Sequence, residues 1–169
     1  MLAPPKQPYA FSIELSTNYV GIGTGQQVYP LQVGDSRLNN GNGAHVTVGG
    51  VWTNASSRSF KEDIQPITSE QARETVQKLQ PVGFRYINEP DDQYVGFIAE
   101  DVPDLVATRD RQSLSPMDIT AVLTKVVQDQ DRTIEEQRQT IAQQQDLLAK
   151  MNARLTRVEE RLKSEPATK

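Results

Sequence analysis

The sequence predicts an α+β chain: a Gly-rich β segment, then a small α+β core, then a long C-terminal coiled-coil helix. Three observations predict it. Residues 1–55 carry eight of the ten glycines but only four charges, Lys6, Glu14, Asp35 and Arg37. From Ser57 the chain turns charged and carries helix caps and stops. The last third repeats apolar residues on a strict heptad.

In the first part, Phe11–Leu15, Tyr19–Ile22, Tyr29–Val33 and His45–Val48 are short apolar or alternating runs. Gly, Asn and Asp clusters such as Asn39-Asn40-Gly41-Asn42-Gly43 separate them, which predicts short strands joined by tight turns. The segment is poor in large apolar residues, so its strands need sister chains to bury them. Gly21-Ile22-Gly23-Thr24-Gly25 has the glycine content of a phosphate loop, but no Lys-Ser/Thr pair follows, so it reads as turns. Trp52 is expected to pack where this part meets the next. His45, the single histidine, is expected on a strand surface or an assembly axis.

In the second part, Ser69–Leu79 is predicted helical, capped by Thr68 or Ser69, with Ala72, Val76 and Leu79 on one face and Pro81 as the stop. Val82–Ile87 and Tyr94–Ile98 read as strands around an Asn88–Asp92 turn. Asp101-Val102-Pro103 is expected to open a short helical piece leading to Leu105-Val106. Glu100 and Asp101 are expected to cap that piece, the alternative being a catalytic carboxylate.

The last helix opens with Ser115 as N-cap and Pro116 at its first position. Its a positions are Val127, Ile134, Ile141, Leu148, Leu155 and Leu162; its d positions are Leu123, Gln130, Gln137, Gln144, Met151 and Val158. Three Gln layers at d specify register and stoichiometry rather than stability, and Ile at a with Gln at d suits a trimer. Residues 164–169 read as a frayed, disordered tail.

The bulk properties exclude several function classes. A net charge of -4 and a 36% hydrophobic fraction argue against a nucleic-acid footprint and for association between chains. No cysteine is present, and one histidine cannot furnish a histidine triad or a His-rich metal site; no cofactor and no metal are implied. No apolar run approaches a membrane span, and the start lacks a secretory pattern, so a soluble chain without membrane contact is expected.

At the seam between the parts stands Ser56-Ser57-Arg58-Ser59-Phe60-Lys61-Glu62-Asp63-Ile64. A serine and a lysine can form a minimal peptidase, with the hydroxyl as nucleophile and the amine as base. A lysine amine serves as base near neutral pH only where burial disfavours its charged form, and Phe60 with a closing chain interface is the expected source of that burial. The plainer alternative is a polar hinge, with Ser56 forming a turn and Lys61 solvated.

Taken together, Ser56, Lys61, Glu62-Asp63-Ile64, Leu79-Gln80-Pro81-Val82, Phe84, Tyr86 and Val95–Pro103 resemble the C-terminal intramolecular chaperone auto-processing domain of phage tail spikes and tail fibres. Val20–Thr24 and Tyr29–Val33 are similar to repeats of fibre proteins. The resemblance spans about residues 19–160. It implies a β-rich fibre end at 1–55, an intramolecular chaperone core at 56–115, a trimeric coiled coil at 116–163 and a tail at 164–169. It further implies a homotrimer that helps the upstream fibre segment of its own chain to fold. Ser56 and Lys61 are the implied catalytic residues of a single-turnover serine endopeptidase, and Ala55-Ser56 is the bond it cuts. The setting implied is a virion tail fibre or a bacterial surface or prophage product. Ser57 stands where the family usually has aspartate. A cap that never cuts and a receptor-binding fibre tip are the alternatives.

Overall fold

The structure is a computed structural model that describes residues 10–34 and 43–164. The expected Asn39–Asn42 turn and the tail beyond Ser164 lie outside the described residues. The chain is α+β, with two sheets and a long C-terminal helix. It divides into two compact units, Met1–Gln65 and Pro66–Lys169.

The first unit holds one mixed sheet of five short strands in sequential order: β1 (Phe11–Glu14), β2 (Tyr19–Ile22), β3 (Leu31–Val33), β4 (Ala44–Val46) and β5 (Trp52–Thr53). β1 and β2 form a hairpin in which Asn18 takes the left-handed backbone, φ 60°, that Asn tolerates. β2 and β3 pair in parallel, joined only by Gly23–Pro30. Buried Thr24 sits in that link, and its carbonyl accepts a 2.6 Å hydrogen bond from the Ser12 hydroxyl. Gly21 is required here, because a Cβ would lie 2.7 Å from the Thr24 carbonyl and 2.8 Å from the Ser12 Oγ.

The strand register sorts the side chains by face. Phe11 pairs with Ile22 and Ile22 with Val33; Ile13 pairs with Val20, Val20 with Leu31, Leu31 with Val46 and Val46 with Trp52. Alternation along each strand puts all of these on one side, an apolar face across all five strands. The opposite face carries Ser12, Glu14, Gln32, His45 and Thr53. Phe11, Ile13, Ile22 and Trp52 remain exposed, and among the described residues of this unit no large apolar side chain is fully buried. His45 is a strand residue whose ring stacks on Tyr29 at 3.5 Å between centroids. Trp52 is part of β5, with its indole N–H donating to Asn54 at 2.7 Å.

In the second unit, α1 (Ser69–Lys78) starts at Thr68, which forms a capping box with Gln71. Leu79 is its C-cap. β6 (Val82–Tyr86) and β7 (Glu89–Gly96) form an antiparallel hairpin with an irregularity between Phe84 and Tyr86. The turn is only Ile87-Asn88, tighter than the expected Asn88–Asp92, and β7 runs through Pro90. A two-stranded ribbon leaves Pro90 at an edge, where its missing N–H costs no ladder bond. The expected helical piece at Asp101–Val106 is instead a pair of turns, closed by Asp101 N–H to the Ile98 carbonyl and Val106 N–H to the Pro103 carbonyl. Pro103 between them leaves no run long enough for a helix.

α2 (Pro116–Ser164) is one continuous helix. Its first turns carry Ile119 and Val122 into a core with Ala72, Val102 and Val106. Beyond that core its apolar stripe is uncovered: Val127, Ile134, Ile141, Leu148, Leu155, Leu123, Met151 and Val158 are each 43–61% exposed. An uncovered apolar stripe of this period has the pattern of a helix–helix seam. No helix among the described residues is long and apolar enough to cross a membrane.

Candidate functional site

Five residues of extended chain span roughly 16 Å, too far for Ser56 and Lys61 to meet. A 3-10 turn at Arg58–Phe60 closes the gap. Phe60 N–H donates to the Ser57 carbonyl at 3.1 Å, and Lys61 N–H donates to the Arg58 carbonyl at 3.1 Å. Ser57 caps the turn: its hydroxyl accepts from Ser59 N–H at 3.3 Å and lies 2.9 Å from the Ser59 hydroxyl.

The turn brings the lysine back over the junction serine. Lys61 Nζ donates to Ser56 Oγ at 2.7 Å, within the range of a strong hydrogen bond. Ala55, whose carbonyl carbon is bonded to the Ser56 nitrogen, is half-buried. Ser56 and Lys61 are both exposed in the single chain, and Phe60 is itself 38% exposed. The single chain therefore supplies the contact but not the expected burial. Sequence reasoning missed the cap that Ser57 and Ser59 provide; a serine two residues before another in a Ser-rich seam was its available signal.

Glu100 and Asp101 have no helix to cap, since turns occupy that segment. The Glu100 backbone carbonyl instead accepts from Arg111 at 3.4 Å, as does that of Val102 at 3.1 Å. Arg111 also pairs with Asp104. These contacts tie a loop together; they lie in the second unit, apart from the serine's own. Among the described residues no group of three or more His, Asp or Glu is placed to hold a metal.

A peptidase family model described as chaperone of endosialidase matches residues 56–108, beginning at the junction serine itself. No curated protein and no solved structure matches the chain.

Proposed function

We propose that the chaperone-of-endosialidase domain carried by residues 56–108 serves a homotrimeric fibre or spike, assembling the β-rich segment ahead of it and then releasing itself. The observation that carries this reading is the 2.7 Å bond from Lys61 Nζ to Ser56 Oγ at the first residue of the matched segment.

The Lys61–Ser56 bond supports one sequence of steps. Neutral Lys61 takes the Ser56 hydroxyl proton, and the oxygen attacks the Ala55 carbonyl carbon. The amide C–N bond breaks as its nitrogen takes that proton, leaving an ester between Ala55 and the Ser56 oxygen. Water then hydrolyses the ester to the Ala55 carboxylate and the free serine. An exposed ammonium cannot begin this sequence, so the amine must first lose water. Neighbouring copies closing over the seam supply that burial, which ties cleavage to assembly.

Two surfaces support a trimer. One is the apolar face of the five-stranded sheet, and the other is the bare heptad stripe of α2. Exposed apolar faces of this extent mark association. A second reading, a cap that assembles without cutting, is favoured by Ser57 in the place of the family's usual aspartate. Wild type beside Lys61→Ala separates the two. Cut wild-type trimers with the variant whole fit the self-cleaving reading, and uncut wild-type trimers fit the cap. Cleavage at an undiminished rate in Lys61→Ala overturns the role of the lysine.

A further inference from the structure

α1 lies along one edge of α2, and the two helices leave a groove of about 790 Å³ between them. Its lining mixes two kinds of residue. Gln130 and Ile134 are d and a positions of the heptad, while Glu70 and Arg73 come from α1. α2 turns its g and c positions toward α1: Ile119 and Val122 are buried there, and Val126 packs beside them. The coil seam therefore borders α1 directly.

In a parallel coil, the g position of one heptad faces the e position of the next heptad on the neighbouring helix. Val126 then faces the neighbouring copy's Asp131, and Thr133 faces the neighbouring copy's Arg138. Val126 and Thr133 line the groove with Arg73, Glu70 and Asp129. Asp129 is already bonded by Lys125 at 2.8 Å, so Arg73 and Glu70 are the opposite charges left to pair with the arriving ones. Among the described residues, Glu70, Arg73 and Asp131 form no salt bridge within the chain, whereas Arg138 has only an exposed 3.6 Å pair with Glu135. Asp131 stands about 160° round α2 from Asp129, whose face meets α1, so Arg73 cannot reach it within one chain.

We propose that the α1–α2 groove receives the coil helix of a second copy of this chain, pairing Arg73 with the neighbouring copy's Asp131 and Glu70 with the neighbouring copy's Arg138. The inference rests on the homotrimer reading and adds a register device to it. Gln130, Gln137 and Gln144 are alike, so a slip of one heptad still stacks glutamine on glutamine at two of the three positions. The α1 charges occur once. A slip one way sets Arg73 against the neighbouring copy's Arg138; a slip the other way sets Glu70 against the neighbouring copy's Asp131. Both wrong registers are opposed by like charge. Only a core folded well enough to present α1 selects the right one.

The test compares wild type, Arg73→Glu, Asp131→Arg and the double variant by sedimentation across a dilution series. The expected result is a wild-type trimer whose dissociation concentration rises about tenfold in each single variant and returns toward wild type in the double. Silent single variants, or a double variant worse than either, overturn the groove proposal while leaving the trimer. A monomeric wild type overturns both. Arg73→Cys with Asp131→Cys gives an independent readout in a chain without native cysteine. A short bis-maleimide should join three chains in a denaturing gel, and bands of single chains alone contradict the proposal.

Discussion

Lys61 Nζ lies 2.7 Å from Ser56 Oγ because one 3-10 turn, capped by the Ser57 hydroxyl, folds the intervening residues back on themselves. The lysine is thus aimed by the backbone rather than by packing. The same turn holds position 57 in an N-cap role, so the Lys61–Ser56 contact depends on the local fold of the seam.

Ser57→Asp keeps the cap, since a carboxylate accepts the Ser59 N–H as well as a hydroxyl does. It also restores the residue that the resemblance places there. Cleavage followed by intact mass over time should be faster than in wild type. Ser57→Ala should weaken the turn by roughly 0.5–2 kcal/mol and slow cleavage.

Removing residues after Gln130 takes away most of the heptad stripe while keeping Ile119 and Val122 in the core with Val126 packed against it, and should abolish trimers in light scattering. Ser56→Ala, exposed and outside the stripe, should leave the trimer unchanged.

Thr68→Ala removes the capping box of α1 and should lower the stability of the second unit by about 1 kcal/mol, read by urea unfolding. Val106→Ala opens a cavity beneath α2, where the valine is 1% exposed, and should cost roughly 2–3 kcal/mol.

Asp129 gives the second unit a pH dependence. Hydrogen bonds from Lys125 and then Ser69 hold its carboxyl below the usual carboxylate range. A carboxylate with a depressed folded pKa adds stability that is full above its unfolded value and fades as pH falls through the folded one. Acid below about pH 4 should therefore loosen the join between α1 and α2, and Asp129→Asn should flatten that part of the profile. Unfolding midpoints measured from pH 2 to 6 check it.

The long helix and α1 were legible because periodicity and caps are local. The strands of the first sheet were legible as apolar runs, whereas β5 was not, since Trp52-Thr53 is too short to show a period. Asn88-Glu89-Pro90-Asp91-Asp92 has turn composition, but most of it is edge strand, because a two-stranded ribbon tolerates Pro90. The pairing of Ser56 with Lys61 was visible as a spacing whose meaning came from a family resemblance. The groove beside α1 was not visible at all, because it depends on which face of α2 the first helix covers.

Intact mass under denaturing conditions, of wild type beside Ser56→Ala, reads self-release at the junction serine. Two wild-type fragments meeting at Ala55 and Ser56, with the variant whole, is the predicted result. A single full-length mass for trimeric wild type would contradict it.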